Sequence, residues 1–201
     1  MKLYFIRHGL AKHNVAYDKV GDSAFNDSKN FDAELVHEGK IQAQKAGKKL
    51  LNVKFDSIYC SPSRRCIQTL DNLLSTSKII TDSIYTSHKK EFIILDDRLM
   101  EPQGYHICNK RHEKVEVDKF VTRFNKKFDL SNVALNYDFN SETSNMVNNR
   151  IKEFIKELKI KHNDEQNILV VTHHDWLQHF FLLFLGKSVS FNNCEIKICI
   201  Y

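Results

Sequence analysis

Short apolar runs alternate along this chain with longer stretches whose apolar residues recur every three or four positions. Leu3 to Ile6 is a compact apolar run closing on Arg7-His8-Gly9, the pattern of a buried strand opening into a loop. From His37 to Leu51 the residues Ile41, Ala43, Ala46, Leu50 and Leu51 fall on one helical face. Ser57 to Cys60 reads as a second strand broken by Ser61-Pro62, and Pro62, lacking an N–H and with its φ preset, suits the first turn of the next helix. That helix carries Ile67, Leu70, Leu73 and Leu74, and Phe92 to Leu95 reads as a third strand. Helical spacing returns at Met146, Val147, Ile151, Phe154, Ile155 and Leu158. Ile168 to Val171 is a β-branched strand ending at Thr172-His173-His174-Asp175. Trp176 to Leu185 is an apolar helix with Gly186 as its C-cap, and Glu195 to Tyr201 alternates as a final strand.

Strands and helices alternating in this order predict an α/β domain built on a mostly parallel sheet. The less regular stretch from Asp96 to about Ser141 is then an inserted region over one end of the sheet. In open α/β sheets, sites form where loops converge beyond the carboxyl ends of strands. Arg7-His8-Gly9, Ser61-Pro62 and Thr172-His173 all fall at such ends, which argues that they share one site.

Composition narrows this picture without redirecting it. A chain of 201 residues, 42% hydrophobic and 27% charged, suits one domain spanning residues 1–201 with an ordinary core. The net charge of +5 is compatible with an anionic substrate. Its densest basic stretch, Lys110 to Lys127, is interrupted by Glu113, Glu116 and Asp118, unlike the basic stripe of a nucleic-acid binder. No nucleic-acid partner is therefore expected, and steep salt dependence of binding would indicate otherwise. The five cysteines, Cys60, Cys66, Cys108, Cys194 and Cys199, form no C-x-x-C pair or zinc-like spacing and read as free thiols of a reducing compartment. The opening MKLYFIRHG is too short in apolar residues for a signal peptide, and Phe180 to Leu185 is far below a membrane span. A cytoplasmic protein without membrane attachment is expected.

Ser61-Pro62-Ser63-Arg64-Arg65-Cys66-Ile67-Gln68-Thr69 resembles the S-P-x-x-R-A-x-Q-T segment of the histidine phosphatase superfamily, which includes the cofactor-dependent phosphoglycerate mutases. That superfamily opens on a strand ending in R-H-G and closes on one ending in T-H, and both are present here. Leu99-Met100-Glu101 looks like its L-x-E segment. Glu142 to Arg150 resembles its E-[ST]…R helix start, and Asn192 to Ile196 its late strand entry. The resemblance spans nearly the whole chain in order. It implies a three-layer αβα sandwich of the phosphoglycerate-mutase-like type.

The same resemblance implies hydrolysis of a phosphate monoester through a phosphohistidine on His8. Arg7, Asn14, Arg65, His173 and the backbone of His174 would contact the phosphate, with Glu101 as proton donor and later base. The chemistry agrees. A phosphate dianion needs forked guanidinium donors, and neighbouring cations favour the neutral, nucleophilic form of His8. The second ring nitrogen of His8 would rest on a backbone carbonyl, and His173 would stabilise charge in the transition state. The scheme requires no metal and no cofactor. Its partner is a small phosphorylated substrate or phosphopeptide, and the sequence leaves the oligomeric state open.

Other readings of single residues stand beside these. Glu101 also reads as a loop carboxylate paired with Arg98, although its L-x-E context favours catalysis, and Asn14 reads equally as a helix-cap or turn asparagine. Arg64 is expected to face solvent. His13, His37, His88, His106, His112, His162 and His179 show no partner pattern and read as surface or interface residues. Tyr105, His106, Lys110, Arg111 and His112 are candidate selectivity contacts. Two features depart from the family pattern: His174 stands where Gly is usual, and Pro102-Gln103-Gly104-Tyr105 replaces the mutase-like E-R-x-Y-G run. The second departure favours hydrolysis over a mutase, while both leave room for a phosphate-binding scaffold with weak catalysis.

Overall fold

The protein was analysed as a computed structural model that describes residues 1–76, 93–137 and 140–200. Among the described residues its sheet has six strands in the order β4-β3-β2-β5-β1-β6. These are β1 (Lys2–Arg7), β2 (Ser57–Cys60), β3 (Ile93–Asp96), β4 (Phe128–Asn132), β5 (Asn167–Thr172) and β6 (Ile196–Ile200). All neighbouring pairs run parallel except β1 with β6, which is antiparallel. The α-helices among the described residues are α1 (Lys12–Val20), α2 (His37–Lys49), α3 (Arg64–Leu74), α4 (Lys114–Val121), α5 (Ser144–Lys161) and α6 (His174–Leu185).

The alternation of the strands decides the layers. Tyr4, Ile6, Ile58, Cys60, Leu169 and Val171 pack with α2, α3 and α4, whereas Leu3, Phe5, Tyr59, Ile168 and Val170 pack with α5 and α6. Consecutive side chains of a strand point to opposite faces, so a sheet covered on both faces needs unbroken apolar strands. Ile168 to Val171 satisfies this with four residues of zero exposure. On the second face, the stacked rings of Trp176 and Phe180 (5.9 Å, 3°) pack on Phe5 and Phe154. The expected three-layer αβα sandwich with a mostly parallel sheet is the architecture found. Among the described residues no helix is long and apolar enough to cross a membrane.

Several sequence expectations are revised. The stretch from Asp96 to Ser141 is more regular than its pattern suggests, since it contains α4 and the edge strand β4. Both were missed because they are short and only partly buried, and β4 shows no alternation. A second covering segment, α1 followed by 3₁₀ turns at Gly21–Asn26 and Ser28–Asn30, also went unread. Pro62 precedes α3 rather than sitting in its first turn, since the N-cap is Ser63. The Asp32 carboxylate takes over the capping duty by accepting the Arg64 N–H at 2.9 Å. Gly186 does terminate α6 in the left-handed conformation (φ 62°). Phe92, the proposed start of the third strand, lies outside the described residues.

The loop after β1 runs directly over the first turn of α2. A Cβ on Gly39 would stand 2.1 Å from the Leu10 carbonyl oxygen, and one on Gly9 would stand 2.6 Å from that of Gly39. Both obstacles are backbone, so neither can swing aside. Gly39→Ala is expected to lower stability by roughly 1–3 kcal/mol, as overpacking does. A smaller change in urea unfolding would show that the loop can lift off the helix.

Candidate active site

Three strand ends supply the centre of the site. The sheet pattern continues past its strands, with His8 N–H donating to Thr172 O (2.9 Å) and Ser61 N–H to Val171 O (3.0 Å). His8, Ser61 and His173 therefore leave adjacent strands side by side, at the carboxyl edge where such sites form.

The His8 backbone is fastened from two sides. Asn193 Nδ2 donates to its carbonyl at 3.0 Å, and Cys194, in a left-handed conformation (φ 58°), donates its N–H to Arg7 O at 3.0 Å. Gly9 N–H donates to Thr69 Oγ1, which in turn donates to Arg65 O. The Thr69 hydroxyl thus couples the loop after β1 to helix α3. Thr172 Oγ1 donates to Leu99 O at 2.7 Å and so ties the β5 end to the segment bearing Glu101. Ion pairing of Arg150 with Glu142 (2.7 Å) fixes the same segment, because Arg150 also donates to Arg98 O and Glu142 accepts from Gln103 N–H.

The His8 ring Nδ1 lies 2.8 Å from Gly9 O. A carbonyl can only accept, so Nδ1 carries the hydrogen and Nε2 keeps its lone pair. Burial pushes the His8 pKa well below its ordinary value, and the charges of Arg65 and Arg7 push it the same way. The cations act in the direction expected from sequence, but desolvation is the larger cause.

Arg7 and Arg65 are held by neutral acceptors. Arg7 Nη1 donates to Phe191 O at 2.6 Å; Arg65 Nη1 donates to Cys108 O at 2.8 Å and its Nη2 to His173 Nδ1 at 3.1 Å. The Nε of each guanidinium is buried without a hydrogen-bond partner. Elsewhere the buried or half-buried arginines meet carboxylates: Arg98 with Asp96 and Glu157, Arg111 with Asp97, Arg150 with Glu142. Arg65, with 1% exposure, forms no such pair among the described residues.

His173 is wholly buried, 5.3 Å from His8 between ring centroids. Because Arg65 donates to its Nδ1, the hydrogen sits on Nε2 and is donated to Ser61 Oγ at 2.8 Å. Both ring nitrogens are engaged within the protein, and among the described residues His173 is not one of those that line the cavity. His174 lines the cavity with its side chain turned back, Nδ1 lying 3.2 Å from Phe191 O, and its backbone opens the first turn of α6.

Glu101 does not pair with Arg98, whose guanidinium is committed to Asp96 and Glu157. Its carboxyl instead sits at the start of α6, accepting from Asp175 N–H (3.0 Å) and Trp176 N–H (3.5 Å). Burial, reinforced by the Asp175 charge, pushes its pKa up to about 8 against those bonds and the pull of Arg65. Asn14 serves as a helix-start residue, its Oδ1 accepting from Ala11 N–H at 3.0 Å. Its amide nitrogen is the part left to face the cavity that the residue also lines.

The cavity, about 230 Å³, is lined by Arg7, His8, Arg65, Glu101, His174 and Asp175 at its inner end. His13 also lines it, contrary to its reading as a surface or interface residue, and so does His106, which is exposed as expected. His13 is 5% exposed, 5.7 Å from His8, and burial drives its pKa down to about 2. Its position in the first turn of α1 could have been found only by recognising that helix. Arg64 is not simply solvated either, since it pairs with Asp32 and Glu34 and lies over the Phe120 ring at 5.1 Å. Of the selectivity candidates, only His106 reaches the cavity wall. Arg111 is buried in a fork with Asp97, and His112 packs on Phe31. His88 lies outside the described residues. All five cysteines are free and buried. Among the described residues no three His, Cys, Asp or Glu side chains converge to hold a metal ion.

Glu101 protonates more readily in the folded chain than in the unfolded one, so its burial costs stability as pH rises from about 4.5 to about 8. Glu101→Gln is therefore expected to stabilise the protein by roughly 1–3 kcal/mol at pH 9 and much less at pH 5. Thermal unfolding at the two pH values measures this, and equal shifts at both would contradict the raised pKa.

Comparison with known proteins bears on the fold and the family. A provisionally named phosphoserine phosphatase 2 of Hydrogenobacter thermophilus is 25% identical over 194 residues, covering 94% of this chain and 81% of its own. The solved phosphoglycerate mutase of Bacillus anthracis superposes with a TM-score of 0.64 at 20% identity, covering 100% of this chain and 88% of the mutase. The alpha-ribazole phosphatase of Shigella flexneri gives 0.62 at 20% identity, covering 98% and 89%. The sequence model of the histidine phosphatase superfamily (branch 1) matches residues 3–199, and the chain belongs to that superfamily.

Proposed function

We propose that this protein is a phosphatase that hydrolyses phosphate monoesters without a metal, through a phosphohistidine on His8. The observation that carries the reading is a pair of guanidiniums, half-buried Arg7 and buried Arg65, that form no ion pair among the described residues beside a histidine whose Nε2 lone pair is kept available. A phosphate dianion supplies the missing negative charge and accepts the forked donors. Asn14 and the backbone of His174 complete the phosphate site. His173 is a positioning residue, holding Arg65 through Nδ1 and packing against His8.

In the first step His8 Nε2 forms a bond to phosphorus while the P–O ester bond breaks. Glu101, protonated below about pH 8, passes its proton to the departing oxygen. The Nδ1–H bond to Gly9 O persists and helps disperse the charge arriving on the ring. In the second step the Glu101 carboxylate takes a proton from water, the water oxygen bonds to phosphorus, and the N–P bond breaks. Both His8 and Glu101 are thereby returned to their starting states. The raised pKa suits both duties, since an acid–base group works best near the operating pH.

Release of p-nitrophenol from p-nitrophenyl phosphate in EDTA is expected from wild type. His8→Ala is expected to lower it by about 10³-fold or more. Activity unaffected by the substitution would remove His8 as nucleophile, and transfer between hydroxyls in place of hydrolysis would indicate a mutase. Turnover of an alkyl monoester is expected to fall as pH rises through about 8, because the general acid is then lost. Glu101→Gln should cost about 10²–10⁴-fold on that alkyl ester. The loss should be much smaller on the p-nitrophenyl ester, whose leaving group needs no proton. Equal losses on both esters would exclude the general-acid role.

A further inference from the structure

Beyond the phosphate end, the cavity changes character. From the nucleophile outward, ring follows ring: His8 to His13 at 5.7 Å, His13 to Phe25 at 6.4 Å, and Phe25 to His106 at 4.9 Å. Tyr17 stacks flat behind Phe25, at 4.9 Å and 11°. This wall is assembled from two separate insertions, the 3₁₀ turn Gly21–Asn26 after α1 and the residue preceding the turn Ile107–Asn109. Asn30 Nδ2, donating to Ala24 O at 2.8 Å, holds the first turn beside Phe25 in place.

Charge in the cavity is distributed against a second anion. Among the described residues its only guanidinium or ammonium groups are Arg7 and Arg65, both at the phosphate end, whereas the Asp175 carboxylate also faces it and Glu101 is neutral below about pH 8. His13, held neutral by its depressed pKa, adds no cation. A carboxylate beyond the ester oxygen would meet the Asp175 carboxylate and no further permanent positive charge. A flat apolar ring there would lie against Phe25 in edge or offset contact, an arrangement favourable for aromatic pairs.

We infer that the wall of His13, Phe25 and His106 is a leaving-group subsite that selects monoesters carrying an uncharged aromatic ring over those carrying a carboxylate, such as phosphoserine or phosphoglycerate. The inference rests on the phosphatase reading for its chemistry, but the subsite is testable by binding alone.

Benzylphosphonate and 3-phosphonopropionate are non-hydrolysable probes that share the phosphonate and differ in ring against carboxylate. Calorimetry on the wild-type chain is expected to give a Kd about tenfold or more lower for benzylphosphonate. Phe25→Ala should raise the benzylphosphonate Kd about tenfold and that of 3-phosphonopropionate at most about twofold. Phe25→Leu, which keeps apolar bulk without a ring, should fall between wild type and Phe25→Ala for benzylphosphonate. Equal or reversed preference in wild type, parallel losses for both probes, or no binding of either would overturn the subsite. Failure of the phosphatase reading is seen separately, as absence of His8-dependent turnover of p-nitrophenyl phosphate while the phosphonate preference persists.

Discussion

Two buried positive charges that the protein does not neutralise itself are the constraint around which this structure is organised. Burying a cation costs several kcal/mol unless an opposite charge or hydrogen bonds compensate. Arg98, Arg111 and Arg150 obtain that compensation from carboxylates. Among the described residues Arg7 and Arg65 form no ion pair, and their hydrogen bonds go to carbonyl oxygens and an imidazole nitrogen. Their field helps keep His8, His13 and His173 uncharged and partly offsets the burial that makes Glu101 a weak acid. Burial sets the direction of each shift, and the guanidinium charge deepens it at the histidines and tempers it at Glu101.

Holding such a centre requires backbone rigidity, and the family motifs provide it mostly through side-chain to backbone bonds. Thr69 fixes the loop of His8 to the helix of Arg65, Thr172 fixes the end of β5 to the Glu101 segment, and Gln68 accepts from Leu35 N–H at the loop entering α2. Gly9 and Gly39 allow that loop to lie on α2 with no side chain between them. The motif residues most readable in the sequence include many that never touch a ligand. Their work is to set the distance between the groups that do.

The sequence by itself determined the sheet and the centre of the site. Strands covered on both faces must be apolar without interruption, so β1, β2 and β5 stood out, and a reactive residue directly after such a strand is carried to the sheet's carboxyl edge. Arg7, His8 and His173 were legible for that reason, and Arg65 through the resemblance of its segment to the family's S-P-x-x-R-A-x-Q-T pattern. Local pattern could not reveal α1, α4 and β4, because these elements cover the domain's edge and bury too little to show a clear period. Nor could it show that Arg98 would turn from Glu101 to Asp96 and Glu157, or that Arg111 would be consumed by Asp97, since pairing among charged residues depends on distances created by folding. The recruitment of His13, Phe25 and His106 to one wall was likewise decided by tertiary structure, which brings two insertions separated by some eighty residues of chain across the same opening. Motifs record what must be adjacent along the backbone; the outer cavity is made of residues whose only relation is spatial.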